Sequence, residues 1–119
     1  MGDGADVAAM LAAIDMRSLV AIVAALDGLP QIVPALQAWL RHAVDWERDR
    51  REGRHYPLAS PVDAIPRAEL PRAVAASALI GESFRGAHTR DVAAVFAFFE
   101  ALTRTLANRC ERGRGRAVH

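Results

Sequence analysis

"DVAAVFAFFEALTRTLANRC", residues 91–110, is the stretch whose pattern decides the fold. Val92, Val95, Phe96, Phe99, Leu102, Leu106 and Cys110 recur at spacings of three and four, the mark of a helix with one apolar face, and Phe98 widens that face. Thr89 stands where an N-cap belongs, and Asp91 falls in the electropositive first turn. Large side chains of this kind, fully buried, each contribute about 1.5 to 3 kcal/mol of transfer free energy before entropy is subtracted. This helix is therefore expected to organise the core. Cys110, on the same stripe, reads as a small hydrophobe.

The preceding elements repeat the helical period. Val7, Met10, Leu11 and Ile14 form one stripe; Leu19, Ile22, Val23 and Leu26 form a second that starts one residue out of phase. Asp15 and Ser18 lie at the join, so the segment is either one long helix or two with a break near Asp15. Gly28 and Pro30 supply a stop, and Pro30 or Pro34 can open the next helix. There Leu36, Trp39, Leu40, Ala43 and Trp46 share a face that runs into "DWERDRREG". Glu47 and Arg51 stand four apart in the favourable order, and these last turns read as a solvated charged rod ended by Gly53. Ala73 to Phe84 reads as a short alanine-rich helix closed by Gly86.

Between the halves lies "HYPLASPVDAIPRAELP", residues 55–71, with four of the six prolines. At 57, 61, 66 and 71 they lack the threefold spacing of a polyproline ligand. The segment reads as a corner. Ser60 is placed to cap a turn with Pro61 at its first position, Pro66 and Pro71 each open a short helical piece, and Tyr56 and Leu58 pin the corner to the core. No stretch alternates as a strand does. The expected fold is all-α: a small bundle of four or five helices with a proline-rich central connector. Residues 1–111 form a single domain and 112–119 a flexible arginine-rich tail.

At 119 residues the chain is long enough for one real core. Its basic residues are all arginine, and the net charge of +1 is spread among interleaved signs, so no long-range field steers it to nucleic acid or anionic lipid. The lone cysteine excludes an internal disulfide framework and fits a reducing cytoplasm. The acidic start "MGDGADVAAM" lacks the basic region of a secretory signal, and the longest apolar run, 19–26, is too short to span a bilayer. A cytoplasmic protein without membrane contact is expected.

Chemistry finds little support in the residues. His42 and Asp45 share a helix face as a possible ligand pair, but the matching pairs of a bundle metal site are missing. Ser83 with His88, or Cys110, lacks the motif that exposes and activates a nucleophile. No phosphate loop or dinucleotide fingerprint occurs. Catalytic, metal and cofactor residues are accordingly expected to be none. "GESFRGAHTRDVAAVFAFF" has the outline of a helix-turn-helix, and Arg112, Arg114 and Arg116 could touch phosphate. Yet the second helix would show mainly alanine and Phe98 to the bases, so direct DNA binding is the weaker alternative.

What remains is a surface for another protein. "LVAIVAAL", residues 19–26, is apolar around its whole circumference, with Ala21, Ala24 and Ala25 opposite the large residues. A helix apolar on all sides is normally covered on all sides, and a bundle this small has little to cover it with. Closed dimers are the commonest soluble oligomers, so a homodimer is expected. Trp39 and Trp46, seven apart beside charged residues, read either as core or as an aromatic contact with a polar rim, the core reading being favoured for Trp39 and both staying open for Trp46, which Asp45 and Glu47 flank. The expected partner or dimer contacts are Leu19, Ile22, Val23, Leu26, Trp39, Trp46 and Phe98.

In length, helical reading and strongly apolar C-terminal helix, "DVAAVFAFFEALTRTLANRC", the chain resembles the small helical antiactivators of bacterial quorum sensing, the TraM and QslA type. The resemblance covers the chain in outline and carries over no residues. It implies a dimeric regulatory protein that blocks a LuxR-type transcription factor by occupying its dimerisation or ligand-binding surface.

Overall fold

The computed structural model describes residues 3–28, 33–84 and 92–117. Their elements are α1 (Asp3–Ala12), α2 (Met16–Gly28), α3 (Pro34–Arg51), the single turn α4 (Pro61–Ala64), a 3-10 turn at Arg67–Glu69, α5 (Leu70–Glu82) and α6 (Val92–Ala117). The protein is all-α, as its periodicity requires, with no strand among the described residues. Pro30, Gly86, His88, Thr89 and Asp91, read above as stops, caps or a catalytic partner, lie outside the described residues.

The join between the first two stripes is a true break. The Asp15 carboxylate accepts the backbone N–H of Ser18 at 3.1 Å, capping α2, and its carbonyl accepts the N–H of Leu19 at 3.0 Å. Separating the helices lets each turn its own stripe inward: Val7, Leu11 and Ile14 from the first segment, Leu19, Ile22 and Leu26 from the second. Pro34 opens α3 behind Val33. Gly53, at φ +91°, closes it in a Schellman turn in which Arg54 N–H donates to the Asp49 carbonyl at 2.9 Å and Gly53 N–H to that of Arg50 at 3.1 Å.

The long helix α6 is the central element, packed chiefly against α5 and α1. Phe98 stacks on Trp39 of α3 with ring centroids 6.5 Å apart and meets Phe99 edge-on at 5.0 Å; Phe99 in turn stacks on Phe84 at 6.0 Å. Gly81 is what lets α5 come this close. A Cβ there would lie 3.0 Å from Phe99 Cβ. Ser77, fully buried on α5, meets the Thr103 hydroxyl of α6 at 2.7 Å, and Thr103 also donates to the Phe99 carbonyl. The helical backbone continues past Cys110, where the periodic stripe ends, to Ala117.

In the connector, Ser60 occupies the N-cap position of α4 with Pro61 at its first residue, but the Ser60 side chain makes no capping bond. Asp63 N–H is taken by the Ser60 carbonyl instead, at 3.2 Å. Pro66 precedes the 3-10 turn, and Pro71 sits in the first turn of α5. Leu58 packs against the core as expected, but Tyr56 stays exposed, and the corner is held mainly through polar bonds to α3. Trp39 Nε1–H donates to the Ala59 carbonyl at 2.7 Å, Trp46 Nε1–H donates to the Tyr56 carbonyl, and His42 Nε2 accepts the Ala59 N–H at 3.2 Å.

Candidate functional site

Five of the seven expected contact residues are core. Leu19, Ile22 and Phe98 are fully buried, and Leu26 and Trp39 are each 2% exposed. A side chain closed off by its own bundle has no surface to offer a second protein, so the expected interface is corrected at Leu19, Ile22, Leu26 and Phe98, and for Trp39 the core reading is the one the structure shows. The physical reason is one of direction: Leu19, Ile22 and Leu26 of α2 point to the shared core, and Phe98 stacks under Trp39. Val23 is half-buried and packs against the same core. Trp46 is also half-buried there, and its indole N–H is occupied by the connector.

The outward side of α2 is different. Met16, Val20 and Ala24 follow one another at four-residue intervals, with Ala21 beside them, and all four are exposed. Val20 is 49% exposed and Met16 40%. Arg17 and Asp27 stand near the two ends, Asp27 paired with Arg41 of α3. Ala21 and Ala24 lie on this side as the sequence places them, whereas Ala25 is half-buried and packs against the core.

Sequence reasoning also missed a buried ion pair at the end of α3. The Glu47 side chain is wholly inaccessible. It accepts from Arg50 Nε at 2.9 Å and Nη2 at 2.7 Å, and from Arg51 Nε at 2.6 Å. Burial by itself would push this carboxyl up, but the hydrogen bonds and charges of the two arginines outweigh it and hold the group below the usual glutamate range. Arg51 then reaches α1. Its Nη2 donates to the Leu11 and Ala12 carbonyls at 3.4 and 3.5 Å and also to that of Ile14, giving donors to a helix end that lacks them. The signal was present in the sequence, since Glu47 continues the inward series Leu36, Leu40, Ala43.

Beside this pair, a polar cleft is lined by His42, Asp45, Asp49, Arg54 and Tyr56. The Tyr56 hydroxyl donates to Asp49 Oδ2 at 2.7 Å, a bond that, with the neighbouring negative charge, raises the phenol above its ordinary range. Arg54 lies 3.8 Å from Asp49 and pairs with Glu52. Tyr56, Asp49, Arg54 and Glu52 satisfy one another, and His42 spends Nε2 on the connector. Among the described residues no three of His, Cys, Asp and Glu gather as a metal would require. No described helix is long and apolar enough to cross a membrane.

A second open surface lies between α5 and α6, a groove of about 540 Å³. Gly81 and Ala78 form one wall; Phe96, Thr103 and Ala107 form the other, with Glu100 and Arg104 on its rim. Along α6 the described exposed residues Glu100, Arg104, Asn108, Glu111 and Arg112 mix acid and base, where a helix laid on phosphates would need a basic run. The side chains of Arg114 and Arg116 lie outside the described residues. Comparison with protein-family models, with curated proteins and with solved structures gave no match.

Proposed function

We propose that this chain is a non-enzymatic regulatory protein that works by binding another protein through the outward face of α2. A transcriptional regulator is the kind of partner suggested by its outline resemblance to the quorum-sensing antiactivators. One observation carries the reading. After α2 has filled the core with Leu19, Ile22 and Leu26, its opposite side is still apolar, with Val20 and Met16 as anchors. Ala21 and Ala24 between them leave room for a second backbone to approach closely. An anchor pair of this kind with charged ends matches the layout of a protein contact, an apolar centre with a polar rim. Arg17 and Asp27 supply that rim.

The test is site-specific photo-crosslinking in the native cell. A photoreactive residue at position 20 is expected to yield a discrete heavier adduct with one protein. The same residue at position 79, where Leu79 is 62% exposed on α5, serves as the exposed control. No adduct at 20, or the same adducts at both positions, contradicts the proposal.

A further inference from the structure

We infer that the groove between α5 and α6 is the seat of a second copy of this chain, paired antiparallel along α6 about a twofold axis. This inference does not depend on what α2 binds.

A closed twofold interface must be self-complementary: if residue i meets residue j, then j meets i. The groove side of α6 meets that condition in its residue order. Phe96, Glu100, Arg104 and Ala107 follow one another along it, large, acidic, basic, small. The midpoint of Glu100 and Arg104 along the chain is Leu102, and the midpoint of Phe96 and Ala107 falls within one residue of it. An antiparallel copy turned about an axis level with Leu102 therefore brings Glu100 opposite Arg104 of the second copy, and Phe96 level with its Asn108, with Ala107 one position along. Each pairing occurs twice. The half-buried Phe96 ring lies beside Ala107, whose small side chain leaves room for it, and each charge meets its opposite.

Parallel pairing would set Phe96 on Phe96 and Glu100 on Glu100, so the charge order selects orientation as well as partner. The charges are free to exchange partners. Arg104 and Glu100 of one chain stand 3.8 Å apart, with side chains 65% and 77% exposed, a loose surface pair of small worth. Ala78 and Gly81 line the facing wall, and Phe96 is half-buried in the groove.

Sedimentation velocity over a concentration series tests this with the full chain. The wild type is expected to show a reversible monomer–dimer equilibrium. Glu100→Arg and Arg104→Glu, each placing like charges across the axis, are each expected to weaken the dimer by about tenfold or more. The double variant Glu100→Arg/Arg104→Glu is expected to restore wild-type association, and Val20→Arg to leave it unchanged. Circular dichroism identical to wild type shows that these exposed positions do not affect the fold. A wild type that stays monomeric throughout, a double variant that fails to recover, or an association lost in Val20→Arg and kept in the charge reversals overturns the inference.

Discussion

Arg51 Nε donates to the buried Glu47 carboxylate at 2.6 Å one helical turn away, and the same guanidinium caps the end of α1. Two helices are thus tied through one carboxylate. Glu47→Gln leaves Arg50 and Arg51 without their counter-charge while water still reaches both, so the expected loss is about 3 kcal/mol, at the low end for breaking a buried pair. Urea unfolding followed by far-ultraviolet circular dichroism measures it.

The same carboxylate sets an acid limit. Because Glu47 is held below the usual glutamate range when folded, its contribution is fully present above the ordinary glutamate value and is lost as pH falls through the lower, folded one. Wild-type stability should fall across that acid window, and the fall should be shallower in Glu47→Gln. Thermal midpoints at stepped pH values give both slopes.

Gly81→Ala should destabilise the protein even though alanine is the better helix former. The added methyl meets Phe99 Cβ at 3.0 Å, and that atom sits on the packed face of α6, where it cannot swing aside. Overpacking of this kind costs about 1 to 3 kcal/mol against a helix-propensity gain of about 1 kcal/mol. A lowered thermal midpoint is the expected result.

The tryptophans should separate structure from recognition. Trp46→Phe removes the donor to the Tyr56 carbonyl and should cost about 1 kcal/mol. Trp39→Phe removes the donor to Ala59 and disturbs the stack on Phe98, and should cost about 2 kcal/mol or more. Faster amide exchange in residues 56–59 of both variants, with partner capture retained by Trp46→Phe, is the pattern expected.

Much of the fold was legible because periodicity states directly which side of a helix is apolar. The stripes of α1, α2, α3 and α6 turn inward, with Met10, Val23, Trp46, Phe96 and Cys110 only half-buried at their margins, and Asp15 breaks the chain where its carboxylate can cap. The sites were less legible, for reasons that lie in long-range geometry. Leu19, Ile22 and Phe98 look alike whether they face their own core or a neighbour, and only the packed bundle decides. Trp39 and Trp46 are held by carbonyls of a connector 20 and 10 residues away, whose return path along α3 no local pattern encodes. Glu47 was read as solvated because charged residues flank it, although its place in the inward series shows its burial.

Affinity capture from native extract with the wild type, Val20→Arg and Leu79→Arg side by side tests the protein-binding role of α2 most directly. The account predicts that one protein is retained by the wild type and by Leu79→Arg and lost from Val20→Arg, with thermal midpoints of all three alike. Equal retention by Val20→Arg would contradict it.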